Sequence, residues 1–150
     1  MDNIIYKPAT KNDEPLIKSL LAKNNLPYGD IKAENIIDFI IAKYEDKIIG
    51  VIGLEIFDHV ALLRSLCVEE EYRKEKIGIS LYKKITTYAH AKRIKELYLL
   101  TTTADKYFNR LGFEIVNRLT APDLIKMSLE FKDYCPSSAV FMKLSLDCAI

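Results

Sequence analysis

Apolar residues along the chain change their spacing several times, and each change marks an element. Ile4 to Lys7 reads as a short opening strand. Thr10-Lys11-Asn12-Asp13 has the spacing of a capping box ahead of Leu16, Ile17, Leu20 and Leu21, which predicts a helix from near Lys11 to before Pro27. Pro27-Tyr28-Gly29-Asp30 is turn chemistry, and Ile36, Ile37 and Phe39 mark a second, short helix. Three runs rich in Ile, Val and Leu follow, Ile40 to Tyr44, Ile48 to Phe57 and Ala61 to Val68, separated by Glu45-Asp46-Lys47 and Asp58-His59. Short polar breaks between such runs predict an antiparallel meander.

From Ile77 the period becomes helical. Leu81, Ile85, Tyr88 and Ala89 share one face while Lys83, Lys84, Lys92 and Arg93 lie elsewhere, an amphipathic helix of about four turns. Beyond it the pattern predicts a buried strand over Glu96 to Thr101, a helix over Thr102 to Leu111 ended by Gly112, and a strand over Phe113 to Asn117. A helix over Ala121 to Phe131 and a last strand over Ala139 to Leu146 complete it. Thr102 with Asp105 again has capping-box spacing. This order describes an α/β fold, a mixed and mainly antiparallel sheet flanked by helices in one domain, with the ligand expected where strands part.

Composition narrows the function classes. The chain has 150 residues, 49% of them hydrophobic and 29% charged, enough for one core and too few for two ordinary domains. A formal net charge of +1 gives no global field to hold nucleic acid or an anionic membrane, so any anion site is local. Cys67, Cys135 and Cys148 fit neither a disulfide framework nor zinc spacing, and His59 and His90 have no metal-like partner in sequence, so no metal is expected. No leader or membrane span is evident, and a reducing, cytoplasmic setting is the expectation.

Candidate chemistry concentrates between Leu63 and Ile79. A strand runs into the basic loop Arg73-Lys74-Glu75-Lys76 and then directly into a helix, so the backbone N–H groups of the first helical turn converge beside three cations. That arrangement is either an anion site or a solvated charged face, and the strand-loop-helix context favours the anion site. Upstream, Glu55 and Arg64 are lone charges inside apolar strands. An even-numbered turn at Asp58-His59 puts Glu55 opposite Leu62 and makes Glu55 and Arg64 diagonal neighbours on one face. They are either a general base and a carboxylate-binding arginine in one pocket, or a cross-strand ion pair on the solvent side.

Arg73-Lys74-Glu75-Lys76-Ile77-Gly78 resembles the Gln/Arg-x-x-Gly-x-Gly/Ala signature of the GNAT acetyltransferases, with Lys76 where the family has its first glycine. That lysine either pairs with phosphate or obstructs the loop. Tyr107-Phe108-Asn109-Arg110-Leu111-Gly112-Phe113 resembles the family's Phe-Tyr-x-x-Leu-Gly-Phe segment. Ala61 to Leu66, Leu97 to Thr103 and Cys135 to Val140 resemble the arsenic-resistance-associated branch, itself similar to amino-acid N-acetyltransferases.

The resemblance implies the GNAT fold, acetyl-coenzyme A as co-substrate, and a small-molecule amine, such as an amino acid or amino-acid-like toxin, as acceptor. It implies coenzyme contacts from Leu66, Cys67, Val68, Arg73, Lys74, Lys76, Ile77, Gly78, Ile79, Thr103 and Phe108, and an oxyanion donor at the Val68 N–H. A tyrosine general acid is common at the position of Phe108, so that acid is missing, with Tyr107 adjacent but about 100° round a helix and read chiefly as a core aromatic. Homodimerisation is frequent in the family, and Leu119 to Pro136 is the segment read as an interface or lid. A protein that binds acetyl-coenzyme A without transferring it is the alternative, favoured by Lys76 and Phe108.

Overall fold

The computed structural model describes residues 3–128, 131–132 and 139–146. Its elements in chain order are β1 (Ile5–Pro8), α1 (Glu14–Lys23), β2 (Phe39–Tyr44), β3 (Lys47–Phe57), β4 (Val60–Val68), α2 (Ile77–Ala91), β5 (Glu96–Thr101), α3 (Asp105–Arg110), β6 (Glu114–Ile115), α4 (Asp123–Lys126) and β7 (Val140–Ser145). The strands form one sheet in the order β1-β2-β3-β4-β5-β7-β6. All neighbours are antiparallel except β4 and β5. The predicted mixed, mainly antiparallel sheet flanked by helices is the observed architecture.

Local chemistry accounts for most boundaries. The Asp13 carboxylate accepts from the Thr10 backbone N–H at 2.8 Å and from its hydroxyl at 3.1 Å, and a 3-10 turn over Lys11–Asp13 leads into α1. The second predicted helix is only a 3-10 turn, Ile36–Asp38, because Phe39 already belongs to β2. The helix predicted from Thr102 begins at Asp105. The expected Thr102 cap is replaced by Thr101, whose hydroxyl oxygen accepts from the Ala104 N–H at 2.9 Å. Of the strand expected over Phe113 to Asn117, only Glu114–Ile115 pairs with β7. Within the helix expected over Ala121 to Phe131, α4 covers Asp123–Lys126 and Phe131 is again helical, with residues 129–130 outside the described residues.

The sheet divides the core. On one face α2 lays Ile77, Leu81, Ile85 and Ala89 against Ile49, Leu54, Ala61, Leu63 and Leu97. Each fully buried Ile or Leu among them contributes about 1.5–3 kcal/mol. On the other face α1 covers Ile41, Val51 and Cys67, and a separate cluster joins Leu62, Tyr98 and Phe141 to Ala121 and Ile125. Arg64 follows Leu63 on β4 and is directed to this second face. A Cβ at Gly53 would stand 2.5 Å from the Phe39 ring, so the chain needs glycine there for β2 and β3 to pack.

Candidate active site

The strands β4 and β5 pair only from Val60 to Leu62 against Glu96 to Tyr98 and then part. A bulge contributes to the divergence: Gly53 faces Arg64 and Val51 faces Cys67, so Ser65 and Leu66 both stand opposite Ile52. Ser65 takes φ +63°, the unpaired conformation of an inserted residue. Between the parted strands lies a cleft of about 750 Å³. Its walls are Leu63 to Leu66 of β4, Leu99 to Ala104 at and beyond the end of β5, Tyr107 and Phe108 of α3, and Asn25 to Tyr28 after α1. Ligands were expected where strands part, and a cleft of this size is there.

A second cavity of about 420 Å³ adjoins it, sharing Leu66 and Tyr107, and is lined also by Cys67, Val68, Arg73, Lys76, Gly78 and Ile79. Above it α2 begins. The Ser80 N–H donates to the Lys76 carbonyl at 3.2 Å as the first helical bond, which leaves the N–H groups of Ile77, Gly78 and Ile79 without intrahelical acceptors. A Cβ at Gly78 would meet only the Tyr107 hydroxyl and a Val68 methyl, both at 3.9 Å. Internal packing therefore does not demand this glycine. What it preserves is close approach to the helix N-terminus, the geometry that suits a phosphate.

Lys76 adopts φ +59°, ψ +23°, the left-handed conformation that glycine takes without strain. The lysine thus holds a backbone conformation that favours glycine and bears a conformational cost for doing so. Lys76→Gly should raise unfolding stability by about 0.5–1 kcal/mol, the left-handed penalty less the added entropy of an unfolded glycine, as read by urea denaturation.

Arg73 is already engaged. Its Nε donates to the Val68 carbonyl at 3.0 Å and its Nη2 to the Asn24 side chain at 2.7 Å, tying the basic loop to the C-terminal end of α1. Lys74 is exposed and lines neither cavity. Glu69, by contrast, is buried and pairs with Lys23 at 3.1 Å and Lys47 at 3.6 Å, fixing the start of the loop.

Glu55 does pair with Leu62, so the predicted diagonal relation with Arg64 holds. The pair has a third member. Asp30 binds the Arg64 guanidinium bidentately, Oδ2 to Nη1 and Oδ1 to Nη2 at 2.8 Å, while Glu55 Oε1 stands 3.4 Å from Nη1 and Nε donates to the Ser65 hydroxyl at 3.1 Å. The side chains of Arg64 and Asp30 are each 3% exposed and that of Glu55 is 23% exposed. Arg64 lines the cleft, whereas Glu55 borders a small adjoining cavity with Ile31 and Phe39. Burial pushes the Glu55 carboxyl upward, Arg64 opposes this, and Asp30 adds to it. Sequence reasoning missed Asp30, since a turn aspartate carries no sign of a partner far along the chain.

Phe108 is buried and packs edge-on against Phe113 with centroids 5.6 Å apart. Tyr107 is half-buried, lines both cavities and brings its hydroxyl to the start of α2, and burial raises that hydroxyl above the usual phenol range. The core reading of Tyr107 is therefore only half of its situation. Thr103 lines the cleft with Phe108. Burial pushes the Cys67 thiol up to about 11, and Cys135 and Cys148 lie outside the described residues. His59 and His90 are exposed, and among the described residues no cluster of His, Cys, Asp or Glu is arranged to hold a metal.

Comparison with known proteins agrees with this geometry. The model of the acetyltransferase (GNAT) domain matches residues 35–115, more than half of the 150 residues, and that stretch holds β2 through β6 with both cavity-forming strands. An uncharacterized N-acetyltransferase of Chlorobaculum tepidum is 30% identical over 93 residues, covering 61% of this chain and 59% of that protein. This chain thus matches less than two thirds of that relative's length. N-acetylglutamate synthase from Neisseria gonorrhoeae, solved with coenzyme A and N-acetyl-glutamate, superposes with a TM-score of 0.83 at 18% identity over 99% of this chain and 36% of its own. Rv2747 from Mycobacterium tuberculosis, solved in complex with coenzyme A, superposes at 0.79 and 19% identity, over 95% of this chain and 99% of its own. At such identities these structures establish the fold, and together with the domain match over the cleft they leave one assignment: the chain belongs to the GNAT acetyltransferase domain family.

Proposed function

We propose that this protein transfers the acetyl group of acetyl-coenzyme A to the amine of a small molecule by direct attack on the thioester. The observation that carries the reading is the continuity of two cavities, one at the open first turn of α2 and one between β4 and β5, meeting at Leu66 and Tyr107. The residues fit the coenzyme. Ile77, Gly78 and Ile79 would offer backbone N–H groups to its pyrophosphate with Lys76 beside them, and Leu66, Thr103 and Phe108 would line its arm. Bound there, acetyl-coenzyme A supplies an acyl group already activated as a thioester.

The remaining work falls to the chain. The Val68 N–H is the proposed donor to the oxygen that gains negative charge, a role that depends on backbone and not on side chain. Tyr107 stays protonated at neutral pH and is proposed to supply the proton for the departing thiolate, taking the place of the tyrosine absent at Phe108. Glu55 is proposed to accept the amine proton through water, because it borders the neighbouring cavity and not the cleft itself. The raised Cys67 thiol speaks against a covalent acetyl-cysteine route, since the thiolate is the nucleophile and at about 11 it is scarce.

Two acceptor classes fall within this reading. Amino acids and amino-acid-like toxins are supported by the resemblance to the arsenic-resistance-associated branch and by the N-acetyl-glutamate bound to the Neisseria gonorrhoeae synthase. Amines without a carboxylate are the other. A role in binding acetyl-coenzyme A without transfer is the second reading, favoured by Phe108 in the acid position. Release of free coenzyme A thiol across a panel of small amines tests the proposal. Amine-dependent release is expected. Tight binding with no release from any amine would leave the binding role.

A further inference from the structure

Within the acetyl-transfer reading, on which this rests, we infer that the acceptor is a primary amine on an uncharged, largely apolar body, and that Asp30 excludes acceptors bearing a carboxylate by neutralising Arg64. Among the described residues Arg64 is the one charged side chain on the cleft wall. An acceptor carboxylate entering the cleft has to be paired there or lose its hydration without compensation.

Arg64 is poorly disposed to receive it. Both oxygens of Asp30 hold its two terminal nitrogens, Glu55 shares Nη1 at 3.4 Å, and Nε is directed at Ser65. With a 3% exposed side chain the guanidinium has no broad face to offer, and displacing Asp30 would break a buried bidentate ion pair. Two carboxylates also surround one guanidinium, so an incoming third meets an excess of negative charge. Among the described residues the rest of the acceptor end is neutral: Leu26, Pro27, Tyr28, Leu100 and Ala139 supply apolar surface, and Asn25 and Ser65 supply uncharged polar groups.

The test compares each amino acid with its decarboxylated amine, phenylalanine with phenethylamine and leucine with isoamylamine, by kcat/KM at saturating acetyl-coenzyme A. The decarboxylated member should be favoured by about tenfold or more, a factor equivalent to 1.4 kcal/mol. The alkylamine is the more basic and less often neutral, so protonation handicaps it and cannot produce this preference. Asp30→Asn keeps the size of the side chain and removes its charge, and should narrow the ratio by about threefold or more through better use of the amino acid, not poorer use of the amine. A general loss of fold would lower both members together. Should Asp30→Asn not fold, the wild-type ratio decides alone. Equal or preferred use of the amino acids overturns the inference and leaves acetyl transfer standing. No turnover of either member, with acetyl-coenzyme A binding intact by calorimetry, overturns this acceptor class. If coenzyme binding is also absent, the transfer reading itself fails.

Discussion

Gly78→Asp should abolish acetyl-coenzyme A binding, weakening Kd by about 100-fold or more, while leaving the protein folded. A carboxylate at this position would stand against the pyrophosphate as proposed, and a like-charge contact in a binding site costs several kcal/mol where 2.7 kcal/mol is already 100-fold. The fold has no objection to the side chain. The nearest atoms to a Cβ at Gly78 are 3.9 Å away, an ordinary contact, and the residue is the second of α2. There a negative charge interacts favourably with the helix dipole, worth about 0.3–1 kcal/mol. The two effects have opposite signs. Calorimetry should report lost binding and thermal unfolding an unchanged or slightly raised Tm, a combination that a misfolded variant cannot give.

The second large effect belongs to Arg64→Ala. Removing the guanidinium strands Asp30, whose side chain is 3% exposed, and leaves Glu55 close by. Breaking a buried pair on one side costs about 3–5 kcal/mol, whereas a pair on the solvent face costs about 0–1 kcal/mol. Urea denaturation of the variant distinguishes these ranges without any substrate. A loss near the upper range would make the Asp30–Arg64 pair a strut that joins the segment after α1 to β4 across the cleft. A loss below about 1 kcal/mol would mean that the pair is exposed in solution, and would also remove the ground for neutralisation by Asp30.

Much of this was legible in the sequence where the information is local. The meander, the four-turn α2 and the buried β5 follow from apolar period, and the Thr10–Asp13 cap from side-chain chemistry. The Glu55–Leu62 register came from the parity of a turn. What escaped depended on contacts distant in sequence. Asp30 looks like turn chemistry until the chain folds it onto Arg64, and Tyr107 looks like a core aromatic until α2 arrives beside its hydroxyl. Thr102 failed as a cap because the neighbouring Thr101 hydroxyl reaches the same turn, so spacing alone could not choose between them. Lys76 is a different case. The sequence read a missing glycine, and the backbone keeps the glycine conformation regardless.

The same contrast bears on the phosphate loop. Arg73 and Lys74 read as phosphate cations from their position; Arg73 lines the second cavity while bonded to Val68 and Asn24, and Lys74 is exposed and lines neither cavity. Backbone N–H groups of α2 are then the proposed principal anion donors, with Lys76 adjoining them in the chain. Among the described residues no helix is long and apolar enough to cross a membrane.

The central claim is acetyl transfer, and product analysis tests it most directly. Purified protein, acetyl-coenzyme A and an accepted amine should give free coenzyme A thiol and N-acetylated amine in equal amounts by mass spectrometry, with Gly78→Asp giving neither above the uncatalysed rate. Thiol released without acetylated amine, or bound acetyl-coenzyme A left intact in the presence of every amine, would contradict the account.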